Sequence, residues 1–174
     1  MPIFNLREEI LCEHSKAQCN KIVDWVGCDQ KRFDQLFDLF LNDEYRVIQR
    51  AGWPVSNSVM KYPQLIKKHW NKLIKNLQKP NLHDAVKRNS IRLMQDIEIP
   101  KKYHGDIMNI CFNYIESPKE AVAIKAFALS VLGKLSQQYP EIIAEIKLLI
   151  DDQLPHQTAA FKSRANKLLS LWNK

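Results

Sequence analysis

Basic side chains are concentrated in one segment of the sequence, where they could contact phosphate groups. Between Lys61 and Lys102 there are 11 lysines and arginines against three acids, in a chain whose net charge is +7. Four of these cations fall on one face of a single predicted helix, and we call them the basic patch: Lys68, Lys72, Lys75 and Lys79. Two interpretations are open, a solvated helix face that aids solubility or a surface that binds phosphates.

A second group of candidate binding residues surrounds a proline inside a predicted helix. Pro54 leaves the carbonyl of Arg50 without its helical donor and predicts a kink, with Trp53 placed at the bend. Either Trp53 packs where this helix meets the N-terminal residues, or it forms a pocket wall beside Arg50, with Tyr45 or Asn57. Tryptophan and arginine are frequent binding hot spots, which keeps the second interpretation open.

The cysteines and histidines match no metal-site or catalytic pattern. Cys12, His14, Cys19 and Cys28 lack the ligand spacing of a zinc finger, and the other histidines are scattered without a recurring partner. The sequence contains no G-x-S-x-G, Walker A, G-x-G-x-x-G or H-E-x-x-H motif. Its four glycines leave little material for a loop that could cradle a phosphate. We therefore expect no metal and no cofactor, and we favour binding over catalysis.

These side chains must be positioned by helices, and the helical pattern repeats. Matching positions recur at spacings of 38, 38 and 37 residues, starting from Ile48, Val86, Ile124 and Phe161. Offsets 0, 4, 7 and 11 from these residues share one helix face, which we call the interior row. The residues at offset 4 are all small and should let a neighbouring helix approach closely: Gly52, Ser90, Ala128 and Ala165.

Offsets 2, 6 and 9 lie on the opposite face, which is mostly polar and is expected to face solvent. We call this set the polar stripe: Arg50, Pro54, Asn57, Arg88, Arg92, Gln95, Ala126, Ser130, Gly133, Ser163, Lys167 and Ser170. From the polar stripe and the adjacent tryptophan we select the candidate binding residues: Arg50, Trp53, Asn57, Arg88, Arg92, Gln95 and Lys167.

Prolines divide the chain into helical segments. No run of alternating β-branched and aromatic residues, the pattern typical of strands, occurs between them. The sequence predicts an all-α domain over residues 1–174, in which 1–28 form an N-terminal cap of two helices. Four helix pairs are predicted after the cap, at 29–62, 63–98, 100–138 and 140–173. Ser117 and Glu120 predict a capping box at the start of the second helix of the third pair.

A repeat of this length, built from two antiparallel helices with prolines heading the first helices, resembles the HEAT and armadillo repeat class. The resemblance covers residues 29–173 and implies a short solenoid, wound as a right-handed α-α superhelix. It also implies that the second helix of each pair lines the concave side, so that the polar stripe faces a binding surface. Part of this class consists of basic alkylpurine DNA glycosylases, whose chemistry requires an acid that the polar stripe lacks.

The favoured function is a non-enzymatic binding or scaffold module that presents a concave helical surface to a protein or acidic peptide. The alternative is a DNA-binding protein resembling the glycosylases, without catalysis. The sequence has neither a signal-peptide pattern nor an apolar run of membrane-spanning length, and its cysteines suit a reducing compartment. We therefore expect no membrane partner and a cytoplasmic location, while the partner's identity, the oligomeric state and the biological process stay open.

Overall fold

The computed structural model describes residues 4–173, and helices dominate this range. Their bounds are α1 Leu6–Cys12, α2 Lys16–Val26, α3 Gln30–Asn42, α4 Tyr45–Lys61, α5 Trp70–Leu77, α6 Asp84–Asp96, α7 His104–Glu116, α8 Val122–Leu135, α9 Ile143–Gln153 and α10 Ala159–Trp172. Short 3-10 helices precede α5, α7, α9 and α10 at Pro63–His69, Lys101–Tyr103, Pro140–Ile142 and Leu154–His156. Proline suits such entries because its φ is fixed and its missing N–H would have no helical partner there.

Local capping chemistry explains where the first helices begin and end. The side chains of Asn5, Ser15 and Asp29 accept hydrogen bonds from backbone N–H groups in the first turns of α1, α2 and α3. Gly27 ends α2 with a φ of +51°, a conformation that favours glycine. The two predicted N-terminal helices are therefore present, although residues 1–3 and 174 of the predicted domain lie outside the described range.

The predicted capping box at Ser117 is wrong. α8 begins at Val122, and its N-cap residue Ala121 supplies no side-chain hydrogen bond. Ser117 instead closes α7, since its N–H bonds the carbonyl of Asn113 at 3.0 Å. The N–H of Glu120 then bonds the carbonyl of Ser117 at 3.3 Å, so the segment forms a turn. Serine and proline favour turns as well as helix starts, and the sequence pattern alone did not separate the two.

The structure divides into two compact units, residues 1–93 and 94–174. In the first unit α4 is the central helix, with α1, α2 and α3 packed against it. The side of α3 that faces inward carries Phe33, Leu36, Phe37 and Phe40, each at most 1% exposed. Burial of such large aromatic and aliphatic side chains is the main stabilising contribution in a helical core.

In the second unit α8 is the central helix, and α7, α9 and α10 pack against it. Nine of its 14 residues are buried, which confirms that this helix is covered on several sides. Because both faces are occupied, a single amphipathic stripe does not describe it.

The interior row is confirmed by burial in all four repeats. Its residues are buried at every position except Leu168 and Trp172 near the C-terminus, which are half-buried. At offset 4 of the first repeat, a Cβ built on Gly52 would lie 2.4 Å from Cγ of Asn89, so glycine permits that close helix contact.

The all-α prediction is confirmed by these helices. α4 continues through Pro54, and the kink at that residue stays a prediction. The single domain over 1–174, the cap boundary at 28, the bounds of the four pairs and the right-handed sense of the superhelix also stay predictions.

Candidate functional site

A groove of about 540 Å³ runs between α8 and α10 in the second unit, and we call it the α8–α10 groove. Its lining consists of Ser130, Gly133, Lys134, Gln137, Ser163, Arg164, Lys167, Leu168 and Leu171. Four of these residues belong to the polar stripe, namely Ser130, Gly133, Ser163 and Lys167. The repeat pattern therefore brings together the stripe residues of the last two second helices.

The groove owes its shape to a missing side chain on α8. A Cβ built on Gly133 would lie 2.4 Å from Cδ2 of Leu168, so α10 approaches α8 at this point. Leu168 is half-buried and Leu171 is 53% exposed, and both belong to the lining. The groove therefore combines apolar surface with polar walls, as binding clefts commonly do.

Three cations line the groove, and two of them have partners within the second unit. The ammonium of Lys134 donates to the carbonyls of Met94, Gln95 and Ile97, which closes the C-terminal end of α6. Arg164 donates to the carbonyl of Ala160 at 3.2 Å.

Both cations are half-buried and interact with further groups of the second unit. Burial lowers the pKa of Lys134, although the nearby carboxylates of Asp96 and Glu98 act in the opposite direction. The guanidinium of Arg164 lies over the ring of Phe127, 5.3 Å from its centroid. Both cations therefore already interact with groups of the second unit.

Lys167 differs from both. Its side chain is exposed, and within residues 4–173 it makes no hydrogen bond or ion pair. It is therefore the groove cation best placed to meet an anionic group from outside.

The polar stripe on α4 does not face solvent as expected. Arg50 donates to the carbonyl of Leu11 at 2.7 Å, and Asn57 donates to Sγ of Cys19 at 3.4 Å. Pro54 is buried. The expectation is wrong for this helix because α1 and α2 cover that side, so an offset within the repeat does not by itself decide exposure.

Trp53 packs in the same place. Its ring lies 5.8 Å from that of His14, in an edge-on arrangement, and the space around it holds only about 10 Å³. This contact agrees with Trp53 packing in the join with the N-terminal cap. Binding roles for Arg50, Trp53 and Asn57 stay predictions.

On α8 the expectation of a solvent-facing stripe also fails at two positions. Ala126 is 2% exposed, and Gly133 is buried against Leu168. On α10 the expectation is correct, because Ser163, Lys167 and Ser170 are all exposed. The difference arises because α8 has helices on several sides.

Among the candidate residues of α6, Arg92 alone is more exposed than the half-buried Arg50, Trp53 and Asn57 of α4. Arg92 is exposed, while Arg88 and Gln95 are half-buried. Their proposed role in binding stays a prediction.

The four lysines of the basic patch line one pocket, but they do not lie on a single helix as expected. Lys68 is in the 3-10 helix Pro63–His69, Lys72 and Lys75 are in α5, and Lys79 lies beyond the end of α5. Lys68 contacts Asp34 at 2.5 Å and Lys72 contacts Asp38 at 2.7 Å, both on α3. The hydrogen bond from Lys72 lowers the pKa of Asp38. Lys75 and Lys79 are exposed and have no ion pair within the described residues.

Sequence reasoning missed that His69 has a carboxylate partner. Nε2 of His69 lies 2.7 Å from Oδ1 of Asp34, and the imidazole is mostly buried among Phe33 and Phe37. Burial lowers the pKa of His69, while the hydrogen bond and charge of Asp34 act to raise it. The usable sequence pattern is a row of acids at i and i+4 on α3, with cations about one repeat later.

Two other kinds of group in the described residues bear on possible chemistry, the potential metal ligands and the thiols. No three histidine, cysteine, aspartate or glutamate side chains there come together as metal ligands. The thiols of Cys19 and Cys111 are buried, and burial raises the pKa of Cys19 to about 11. Within residues 4–173, the helices are too short or too polar to cross a membrane.

Comparisons with known proteins identify the repeat class. No curated protein and no solved structure matches the chain significantly. The sequence model of one family does match, and it covers residues 6–170, nearly all of the chain. Together with the buried interior row, this match confirms the resemblance drawn from the spacing of Ile48, Val86, Ile124 and Phe161. The chain therefore belongs to the HEAT repeat domain family.

Proposed function

We propose that the chain is a non-enzymatic binding module that holds a peptide segment of a protein partner in the α8–α10 groove. The observation that carries this proposal is the composition of the lining, which contains three cations, hydroxyl groups and two leucines but no acid among its nine residues. A groove of this size suits a few side chains of a bound segment.

The segment that complements this lining is acidic and carries apolar residues. A carboxylate of the segment would pair with Lys167, which has no ion pair or hydrogen bond in the part of the chain that the structure describes. An apolar side chain would cover Leu171, which is 53% exposed, and contact Leu168 below it. The positive charge of the groove favours acidic residues in the segment, and the two leucines favour apolar ones. A segment that binds well should therefore contain both kinds of residue.

Panning a phage library of short random peptides against the intact chain tests this proposal. We expect enrichment of peptides that combine Asp or Glu with Leu or Phe. Enriched peptides should lose binding to Lys167→Glu and to Leu171→Asp, because each variant removes one half of the complementarity. The matched control is Lys162→Glu, an exposed lysine of α10 outside the groove lining, which should bind as the unmodified chain does.

Three results would contradict the proposal. The first is the absence of any enriched acidic class, and the second is equal binding by the Lys167→Glu and unmodified proteins. The third is an equal loss in the Lys162→Glu control, because the effect would then reflect overall charge.

DNA binding remains the alternative function, and the salt dependence of binding separates it from the peptide proposal. Phosphate contacts predict a steep loss of affinity between low and moderate salt in a gel-shift titration. Arg50 is already bonded to Leu11, and Lys68 and Lys72 are paired with carboxylates, whereas Lys75 and Lys79 have no ion pair within the described residues. No binding at low salt would remove this alternative.

A further inference from the structure

A second pocket, of about 350 Å³, lies in the first unit on the side of α5. Its lining contains no acid and consists of lysines and asparagines: Asn42, Lys68, Asn71, Lys72, Lys75, Asn76 and Lys79. We call it the lysine–asparagine pocket. Every side chain in it can donate hydrogen bonds, and four of them carry positive charge.

Some hydrogen-bond donors of this pocket have acceptors on α3, and others have none within the described residues. Lys68 and Lys72 donate to Asp34 and Asp38, and Asn42 donates to Asp38 at 2.7 Å. These contacts hold the α3 side of the pocket in place. They also use carboxylates that would otherwise repel an anion.

Lys75 and Lys79 have no such partner within the described residues, and both are exposed. Lys75 lies in the last turn of α5 and Lys79 lies two residues beyond its end at Leu77, and both line the pocket. Two free ammonium groups beside several amide donors form a binding environment for oxygen anions.

Asn76 provides an independent observation in the same pocket. The residue is 3% exposed, and its Nδ2 is buried without a hydrogen-bond acceptor among residues 4–173. Buried amide donors almost always have a partner, so an unmatched one calls for an explanation. A rotation of this amide toward the pocket that it lines would let an oxygen of a ligand seated beside Lys75 and Lys79 supply the missing acceptor.

We propose that the lysine–asparagine pocket binds a small soluble molecule through two neighbouring phosphate groups. Two free cations match two phosphates, and the volume is near the lower end of the range for small-molecule sites. This site lies on the first helix of its pair and is separate from the α8–α10 groove, so either proposal can fail alone.

Isothermal titration of the intact chain with inorganic pyrophosphate, at constant ionic strength, tests the site. We expect saturable binding of one pyrophosphate per chain, weaker binding of orthophosphate, and a loss of at least about tenfold in affinity for Lys75→Gln/Lys79→Gln. The matched control is Lys101→Gln/Lys102→Gln, which removes the same charge from exposed positions outside the pocket and should bind normally. Asn76→Leu should also weaken binding, because it removes the unpaired donor while keeping an apolar body in the buried position.

Several outcomes would overturn the proposal. These are no saturable pyrophosphate binding, or equal weakening by the two double variants, which would indicate a general charge effect. Binding only to vesicles containing phosphatidylinositol bisphosphate, or only to a single-stranded oligonucleotide with a steep salt dependence, would assign the lysines to a lipid surface or a nucleic acid instead.

Discussion

The polar stripe of α4 and that of α10 occupy the same offsets of one repeat, yet they meet different surroundings. On α4, Arg50 and Asn57 bond to groups of α1 and α2. On α10, Lys167 and its stripe neighbours are exposed, and Lys167 lines an open groove. The repeat pattern therefore specifies which face is polar, whereas the neighbouring elements decide whether that face is available to a partner.

This difference explains why the tryptophan–arginine pair predicted a binding site in the less accessible region. Trp53 and Arg50 resemble a binding hot spot in sequence, but each contacts a residue of the N-terminal segment. Lys167 and Leu171 have the more ordinary sequence context and the more open site. The variants below test the contrast between covered and open faces, from the largest expected effect to the smallest.

The largest effect is expected between the interior row and the polar stripe of α10 itself. Phe161 is fully buried, so Phe161→Ala should lower the free energy of unfolding by about 3–5 kcal/mol through lost burial and a cavity. Lys167→Ala, on the open face, should change it by less than about 0.5 kcal/mol. Urea denaturation of both variants measures the difference, and similar losses would show that the two faces of α10 are wrongly assigned.

A smaller contrast is expected within α8. Ala128 is fully buried, and Ala128→Leu should overpack its helix contact and cost about 1–3 kcal/mol. Ser130 is half-buried beside the groove, so Ser130→Leu should cost much less. Equal shifts of the melting curve would contradict the placement of the interior row on this helix.

The contrast between the two stripes is tested directly by removing one cation from each. Arg50→Met loses the hydrogen bond to Leu11 and should destabilise the protein by about 1 kcal/mol. Lys167→Met loses no hydrogen bond or ion pair within the described residues and should leave stability nearly unchanged. If both variants melt like the unmodified protein, the hydrogen bond between Arg50 and Leu11 does not contribute to stability.

The smallest effect is expected from the titration of Lys134. Its pKa in the folded protein lies below the ordinary value of 10.5, mainly because of burial. Between these two values the unfolded chain binds more protons at this lysine than the folded one, so the contribution of Lys134 to stability should rise as pH rises through that window. The buried thiols of Cys19 and Cys111 act in the opposite direction above the ordinary thiol pKa of 9.0, because burial raises the pKa of both. Compared with the unmodified protein from pH 8 to pH 10.5, the urea midpoint of Lys134→Met should therefore rise less or fall more steeply, while that of Lys167→Met should follow the unmodified profile. A Lys134→Met profile identical to that of the unmodified protein would contradict the contribution of Lys134.

Much of the fold could be predicted because the interior row depends on helical period alone. Ile48, Val86, Ile124 and Phe161 are spaced by the repeat, and burying them requires no knowledge of distant residues. The start of α8 could not be predicted from Ser117, since the same residue types serve a turn or a helix cap.

The candidate sites were predictable only in part. The basic patch was found by its helical spacing, and Lys167 by its place in the polar stripe. The pairing of Asp34 with His69 and Lys68, and the bonds of Lys134 to the end of α6, join residues about one repeat apart. Such partners depend on how successive helices are aligned, which a helical period does not specify.

By itself, the sequence determined that the chain is all helical, which face of each repeated helix is buried, and where the positive charge is concentrated. These properties follow from local periodicity and composition, which act over a few turns of helix. Only the tertiary structure decided that α1 and α2 cover the stripe of α4, that α8 and α10 form a groove at Gly133, and that Asn76 is buried without an acceptor. These facts depend on contacts between helices, where close packing and polar satisfaction are set by residues far apart in the chain.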